Sequence, residues 1–459
     1  MPGVEYGRDP VVVTLLRLSS ARSSRPGIPA RADGVFLGKA GLVAVLLAGL
    51  VVTMAGCGGG APPMSATPGR LIRIAPIRTF SQWLDEAQVR ATTNAQWASI
   101  ARDNAIVVLN SWDFRLIPVL RRADPRIRVW VYKDLSGVRS DDCSTANGDC
   151  GACGSGTTDS SYLSSGMGYC WVKRNHPDWF LSAADTGQPL QFKGYPRSWE
   201  TAYGNRAYQR QWIRNVLRDV RGHGWDGVEV DNALTTADAY GVAAKYRTDA
   251  AVQAATYLAL QEVGPALHDA GVASVFNVGY ATSFPGLWQR WLRPVDGLEQ
   301  EYYLSYSTQP NATGPVWGAY EDEVSSCAAE HKSCWFHAGA FSTAVTSQTR
   351  DYALASYLLA TDGRQILAVG DTTSGSPALR WPLGAPLSTM NQMGAAWQRY
   401  FVSGIAVANS SSSTSVVYLG GTYLDDRGQQ VSTLTLGPAS GAVLRAVPGQ
   451  GAVEPSPGT

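Results

Sequence analysis

Three features of this sequence predict an α/β chain that closes into a (β/α)8 TIM barrel and ends in a small antiparallel β-domain. Short apolar runs alternate with helical periodicities over roughly 300 residues, the rhythm of parallel strands joined by crossover helices. Acids and amides stand where several of those runs end, and that lip is where barrels present their chemistry. From about Gly404 the pattern changes to β-branched runs separated by Gly, Ser and Asp, as antiparallel strands require. An open doubly wound sheet is the alternative arrangement of the same units.

The chain has 459 residues, enough for a large domain with a smaller one beside it. Arg17, Arg22, Arg25, Arg31 and Lys39 precede an apolar run over 41–55, which leads into Met54-Ala55-Gly56-Cys57. Basic, apolar and small-residue regions in that order describe a secretory signal. Its end resembles the lipobox of bacterial lipoproteins, which implies lipidation of Cys57 and an exported protein held at the outer side of the cell membrane. A transmembrane anchor is the rival reading, but the run is shorter than the roughly 20 residues a spanning helix needs. The expected organisation is a leader over 1–57, a Gly/Ala/Pro-rich tether over 58–70, the barrel over 71–400, the β-domain over 401–447 and an unstructured tail over 448–459.

Seven cysteines fit export. Without Cys57 an even set remains, and in an oxidising compartment an even set implies disulfides. Cys327 and Cys334 are expected to pair across a local loop. Cys143, Cys150, Cys153 and Cys170 fall in a Gly/Ser-rich insertion and form two bridges of open connectivity. A zinc site at Cys150 and Cys153 is the rival reading, with no histidine nearby to complete it.

The strands follow in order. Residues 72–77 read as the first, before a polar, helix-compatible stretch over 81–101. Residues 105–110 form a continuous apolar run buried on both faces, and 128–134 form the third strand, ahead of the cysteine-bearing insertion. A helix over 208–222 carries Trp212, Ile213, Val216, Leu217 and Val220 on one face and stops at glycines. It delivers the chain into the fourth strand, which ends at Asp231. Another helix spans 245–270. The remaining strands are 273–278, 297–303, 334–337 and 365–369, with helices over 288–292 and 349–360 between them. In the tail, 406–408, 416–419, 431–436 and 442–444 read as β-strands.

The chemistry narrows by exclusion. The sequence holds no Gly-x-Ser-x-Gly elbow, no His-Glu-x-x-His and no P-loop. Gly222, Gly224 and Gly227 match Gly-x-Gly-x-x-Gly, but between a helix and a strand, the reverse of the dinucleotide context. Five histidines and a net charge of +1 argue against metal or Ser-His chemistry and against a nucleic-acid partner. No cofactor and no metal are expected, and a monomer suffices.

Paired carboxylates remain. Asp231 ends the fourth strand and Glu301 stands near the end of the sixth, so a closed barrel sets them facing each other across its mouth. That suits glycoside hydrolysis, which needs one carboxylate as nucleophile or base and one carboxylic acid to protonate the leaving oxygen. Glu299 shares parity with Glu301 and competes for the acid's role. Glu229 shares parity with Asp231 one layer lower. Candidate substrate contacts at the strand ends are Trp112, Asp113, Lys133, Asp134, Asn277, Tyr280, Tyr302, Tyr303, His337 and Asp371.

The run Asp226-Gly227-Val228-Glu229-Val230-Asp231-Asn232 resembles the Asp-Gly-Val-Phe-x-Asp-Asn signature of the hypothetical glycosidase-like family 15 group. More distantly it is similar to the family 114 endo-α-1,4-polygalactosaminidases. His176-Pro177-Asp178-Trp179-Phe180 and the stretch over 208–212 are similar to the lead-in of the former. The resemblance covers roughly 72–444. It implies a barrel-fold glycosidase acting on a polysaccharide or glycoconjugate, with Asp231 as nucleophile or base and Glu301 as proton donor. Glu229 stands where the signature is usually apolar. A non-catalytic carbohydrate-binding or envelope-scaffold lipoprotein on a degenerate barrel is the alternative.

Overall fold

Eight short strands build the barrel, and they are apolar because helices cover one face and the barrel interior the other. A computed structural model describes residues 77–140, 163–306, 309–340, 345–370 and 381–449. The leader, the tether, residues 72–76, Cys143, Cys150, Cys153, Asp371 and the last tail residues lie outside them. The described residues all belong to one unit, from Arg70 to Thr459.

The barrel opens with β1 (Phe80–Trp83), helices α1 (Glu86–Ala91) and α2 (Asn94–Asp103), β2 (Ile106–Leu109), α3 (Ile117–Ala123) and β3 (Arg128–Asp134). An insertion follows. It contains β4 (Gly137–Arg139), α4 (Tyr169–Asn175) and β5 (Ser198–Glu200), with β4 and β5 paired antiparallel. The barrel resumes with α5 (Arg206–His223), β6 (Gly227–Asp231), α6 (Asp249–Asp269), β7 (Ala273–Asn277), α7 (Leu287–Leu292) and β8 (Gly297–Gln300). It ends with α8 (Gly314–Ala329), β9 (Trp335–Ala338), α9 (Ser347–Ala360) and β10 (Ile366–Val369).

The sheet runs β1-β2-β3-β6-β7-β8-β9-β10, and every neighbouring pair in it is parallel. Leu367 N donates to Arg78 O across 3.1 Å and brings the last strand back to the first. The first strand lies at 80–83, overlapping the start of the stretch over 81–101 read from sequence as helix-compatible. The reason is Gln82, a polar residue that faces the barrel interior and donates to Glu229 Oε1.

Phe80, Ile106, Val108, Trp130, Val275, Trp335, Ile366 and Ala368 fill the lower barrel. Trp130 and Trp335 lie 4.8 Å apart between ring centroids. Gly227 makes that packing possible, since a Cβ there would come within 2.4 Å of the Trp130 ring. The glycines of the Gly-x-Gly-x-x-Gly match therefore serve the fold. Gly224 ends α5 in the left-handed conformation at φ 74°, and Gly227 admits the tryptophan.

Six further strands, β11 (Asn391–Met393), β12 (Ala396–Phe401), β13 (Gly404–Asn409), β14 (Ser415–Leu424), β15 (Gln430–Leu436) and β16 (Ser440–Ala446), form a separate antiparallel sheet. The sheet begins at Asn391, ahead of the boundary expected at 401. It packs on α9, where Arg399 Nη1 donates to Leu358 O at 3.1 Å and Thr361 O at 2.7 Å. Leu358 lies in the last turn of α9 and Thr361 is its C-cap, so the guanidinium satisfies acceptors at that helix end. Cys327 and Cys334 form the expected disulfide between α8 and the start of β9. Cys170 is buried and disulfide-bonded as well.

Candidate active site

Parallel strands alternate their side chains, so β6 and β8 stack three pairs up the barrel interior. Gly227 and Gly297 lie lowest, Gly227 against the Trp130 ring and Gly297 against Ser333 O and Val275. Glu229 and Glu299 come next and are fully buried, at 0% and 1% exposure. Asp231 and Glu301 stand at the top, each partly open to solvent. Of the two competing glutamates, Glu299 is closed off from solvent and Glu301 is not. Glu229 and Glu299 each keep one unpartnered oxygen, and burial first, then neighbouring carboxylates, push both well above the usual carboxyl range.

Asn277, at the end of β7, stands between the upper pair. Its Nδ2 donates to Asp231 Oδ1 at 3.0 Å and to Glu301 Oε2 at 3.0 Å. Only the amide nitrogen can face two carboxyl oxygens, which fixes the rotamer. Asp231 also accepts from the Tyr132 hydroxyl at 2.5 Å on Oδ2 and from Asn232 N at 2.7 Å on Oδ1. Asn232 itself sits at φ 59°, and its Nδ2 donates to Asp134 Oδ2 at 3.0 Å.

The two carboxyls are tuned differently. Burial raises Asp231, but Tyr132, Asn232 and Asn277 all oppose the rise by bonding its charged form. Burial and the charge of Asp231 raise Glu301 to about 7. Three donors favour charge on the first residue, and that charge favours a proton on the second. Asp134 is also raised to about 7, by burial and then by Asp231.

Other sequence candidates separate into two groups. Tyr280 and Tyr302 stand on the lip beside Glu301, with rings 5.3 Å apart. His337 faces the interior from β9, and its Nε2 meets Gly370 O at 2.8 Å. A carbonyl only accepts, so the proton is on Nε2, and burial lowers the imidazole's pKa.

Lys133 and Tyr303 lie elsewhere. Tyr132 and Asp134 point inward, so Lys133 between them points outward, fully buried, to Asp219 on α5 at 2.7 Å. Strand β8 ends at Gln300, so parity no longer governs Tyr303, which packs outward and donates to Glu321 on α8 at 2.8 Å. Trp112 and Asp113 occupy a 3-10 turn after β2. Burial and then Glu86, the first residue of α1, raise Asp113 to about 6.

Sequence reasoning missed Tyr132, Tyr195 and Tyr306. Tyr132 was accessible through its parity with Asp134. Tyr195, from the insertion, and Tyr306, after β8, reach the mouth through loop geometry that no periodicity encodes.

A parallel eight-stranded barrel with carboxyls on its C-terminal lip has the architecture of the barrel enzymes. The chain belongs to the hypothetical glycosyl hydrolase family 15, whose profile matches residues 121–405. It is a glycoside hydrolase by family. Solved structures similar to it include the glycoside hydrolase domain of PelA from Pseudomonas aeruginosa, at 12% identity and TM-score 0.39, covering 67% of this chain and 97% of that one. A maltogenic α-amylase, AmyB from Thermotoga neapolitana, is 10% identical with TM-score 0.43, covering 81% and 98%. A family 27 β-L-arabinopyranosidase from Geobacillus stearothermophilus is 10% identical with TM-score 0.46, covering 82% and 98%. No curated protein matches the chain.

Proposed function

We propose that the protein hydrolyses O-glycosidic bonds of a polysaccharide or glycoconjugate with retention of anomeric configuration, through Asp231 as nucleophile and Glu301 as acid and base. The observation that carries this reading is the Asn277 bridge. Two 3.0 Å bonds to one nitrogen hold the nearest carboxyl oxygens no more than twice that distance apart. Inverting enzymes leave about 6.5–9.5 Å for a water between their carboxyls, whereas double displacement works at about 5–5.5 Å.

In the first step an Asp231 oxygen bonds to the anomeric carbon, the bond to the leaving oxygen breaks, and Glu301 gives that oxygen its proton. In the second, the Glu301 carboxylate takes a proton from water. The water oxygen bonds to the anomeric carbon and Asp231 leaves. The test is a panel of α- and β-p-nitrophenyl glycosides of glucose, galactose, mannose, N-acetylglucosamine and N-acetylgalactosamine, with soluble polysaccharides of the same sugars. Proton NMR of the first-formed anomer is expected to show the substrate's configuration. An inverted product defeats the double displacement. Glycan binding with no release of product favours the scaffold reading instead.

The acid's environment sets a pH limb. Glu301 must carry its proton to work, and its pKa is raised to about 7, so kcat/KM should fall as pH rises through about 7. In Glu301→Gln that alkaline limb should disappear from whatever activity remains. A limb unmoved by the substitution belongs to another group.

We also propose that the protein is exported and lipidated at Cys57. The Cys327–Cys334 disulfide and the bonded Cys170 support an oxidising compartment. Cells fed radiolabelled palmitate should label the wild type in the membrane fraction and leave Cys57→Ala unlabelled. Equal labelling of both removes the anchor.

A further inference from the structure

The mouth of the barrel is chemically lopsided. On the Asp231 side stand Tyr132, Asp134 and Asn232, polar groups that hydrogen-bond one another and the carboxylate. On the Glu301 side stand tyrosines. Tyr302 neighbours both Glu301 and Tyr280. Its ring lies 5.3 Å from that of Tyr280 and 4.8 Å, edge-on, from that of Tyr306. The two outer members are open, Tyr280 at 47% and Tyr306 at 41% exposure, in a chain whose largest aromatics are mostly buried.

The backbone is strained to hold this ladder. Tyr280 sits at φ 61° and Leu304, between Tyr302 and Tyr306, at φ 59°, conformations unfavourable to side chains of that size. A β-bridge from Tyr306 to Ala340 and a 3.1 Å bond from Gly339 N to Ser305 O pin the second loop. Tyr195, 54% exposed, approaches from the insertion, where its hydroxyl feels the charges of Glu301 and Asp231.

From this asymmetry we infer that Tyr280, Tyr302 and Tyr306 form the leaving-group subsites, stacking the sugar rings beyond the scissile bond, so that the substrate is an oligomer or polymer. The inference rests on the proposed function, which places the acid beside the leaving oxygen. The rings that depart with that oxygen then lie on Glu301's side, over the ladder. The sugar attached to Asp231 meets the polar side, whose donors and acceptors match hydroxyls. Pyranose faces are flat and apolar, and exposed tyrosine rings supply stacking area with little side-chain entropy to lose.

The test compares two probes of the sugar turned over in the panel. One is its glycosyl fluoride, whose leaving group places no ring on the ladder; the other is its linear trisaccharide. Tyr280→Ala and Tyr306→Ala should each lower kcat/KM on the trisaccharide at least about tenfold more than on the fluoride. Tyr280→Phe and Tyr306→Phe should restore the ratio, since the ring and not the hydroxyl carries the contact. Equal losses on both probes, or none, overturn the ladder and leave the hydrolase reading standing. No turnover of either probe by the wild type overturns both.

Discussion

Asp231→Asn is expected to lower kcat/KM on every hydrolysed glycoside by about 10⁴-fold or more, because the amide cannot form the glycosyl ester. The fold should survive the change. Tyr132 donates to one oxygen while Asn232 and Asn277 donate to the other. An asparagine can keep its carbonyl toward the latter two and turn its NH2 toward the phenol oxygen, which also accepts. Glu301→Gln should behave differently, losing about 10²–10⁴-fold on substrates with poor leaving groups and much less on glycosyl fluorides, which need no proton. The measurement is steady-state kinetics on both substrate types, with circular dichroism as a check on folding. Near-full activity in both variants would remove this pair from the chemistry. A leaving-group-independent loss in Glu301→Gln would reassign the acid.

Much of this site was legible in the sequence because barrel strands report their own geometry. The runs ending at Asp231 and Asn277 are apolar, bounded by glycine or helix, and closed by polar residues at the lip. Parity alone put Glu299 and Glu301 on one face. Burial separates them, and burial depends on how high each stands above a floor made by Trp130 and Trp335 from other strands. The first strand was not legible, since Phe80-Ser81-Gln82-Trp83 mixes polar and apolar residues. Its polarity answers to Glu229, far away in the chain. The Asn277 bridge is likewise invisible in sequence. An asparagine at a strand end ordinarily caps a turn, and only the closed barrel sets this one between two carboxyls.

Lys133 shows what parity does decide when it is followed through, and it carries the second large expectation. It alternates with Tyr132 and Asp134, so it must leave the barrel where they enter it. Its ammonium is fully buried against Asp219 at 2.7 Å and also donates to Leu163 O at 2.7 Å and to Ser111 Oγ. Asp219 further holds Trp225 Nε1 at 3.2 Å and pairs with His223 Nδ1 at 2.7 Å. The lysine thus ties Leu163, within the insertion, to the barrel and to α5. Lys133→Met should destabilise the protein by about 3–5 kcal/mol, the usual effect of stranding one partner of a buried ion pair, read as a lowered urea midpoint. Adding Asp219→Leu should recover only part of the loss, because Trp225 and His223 then lose their acceptor. If Lys133 instead touched substrate, the single variant would raise KM with its unfolding midpoint unchanged, and the outward direction of its side chain would be wrong.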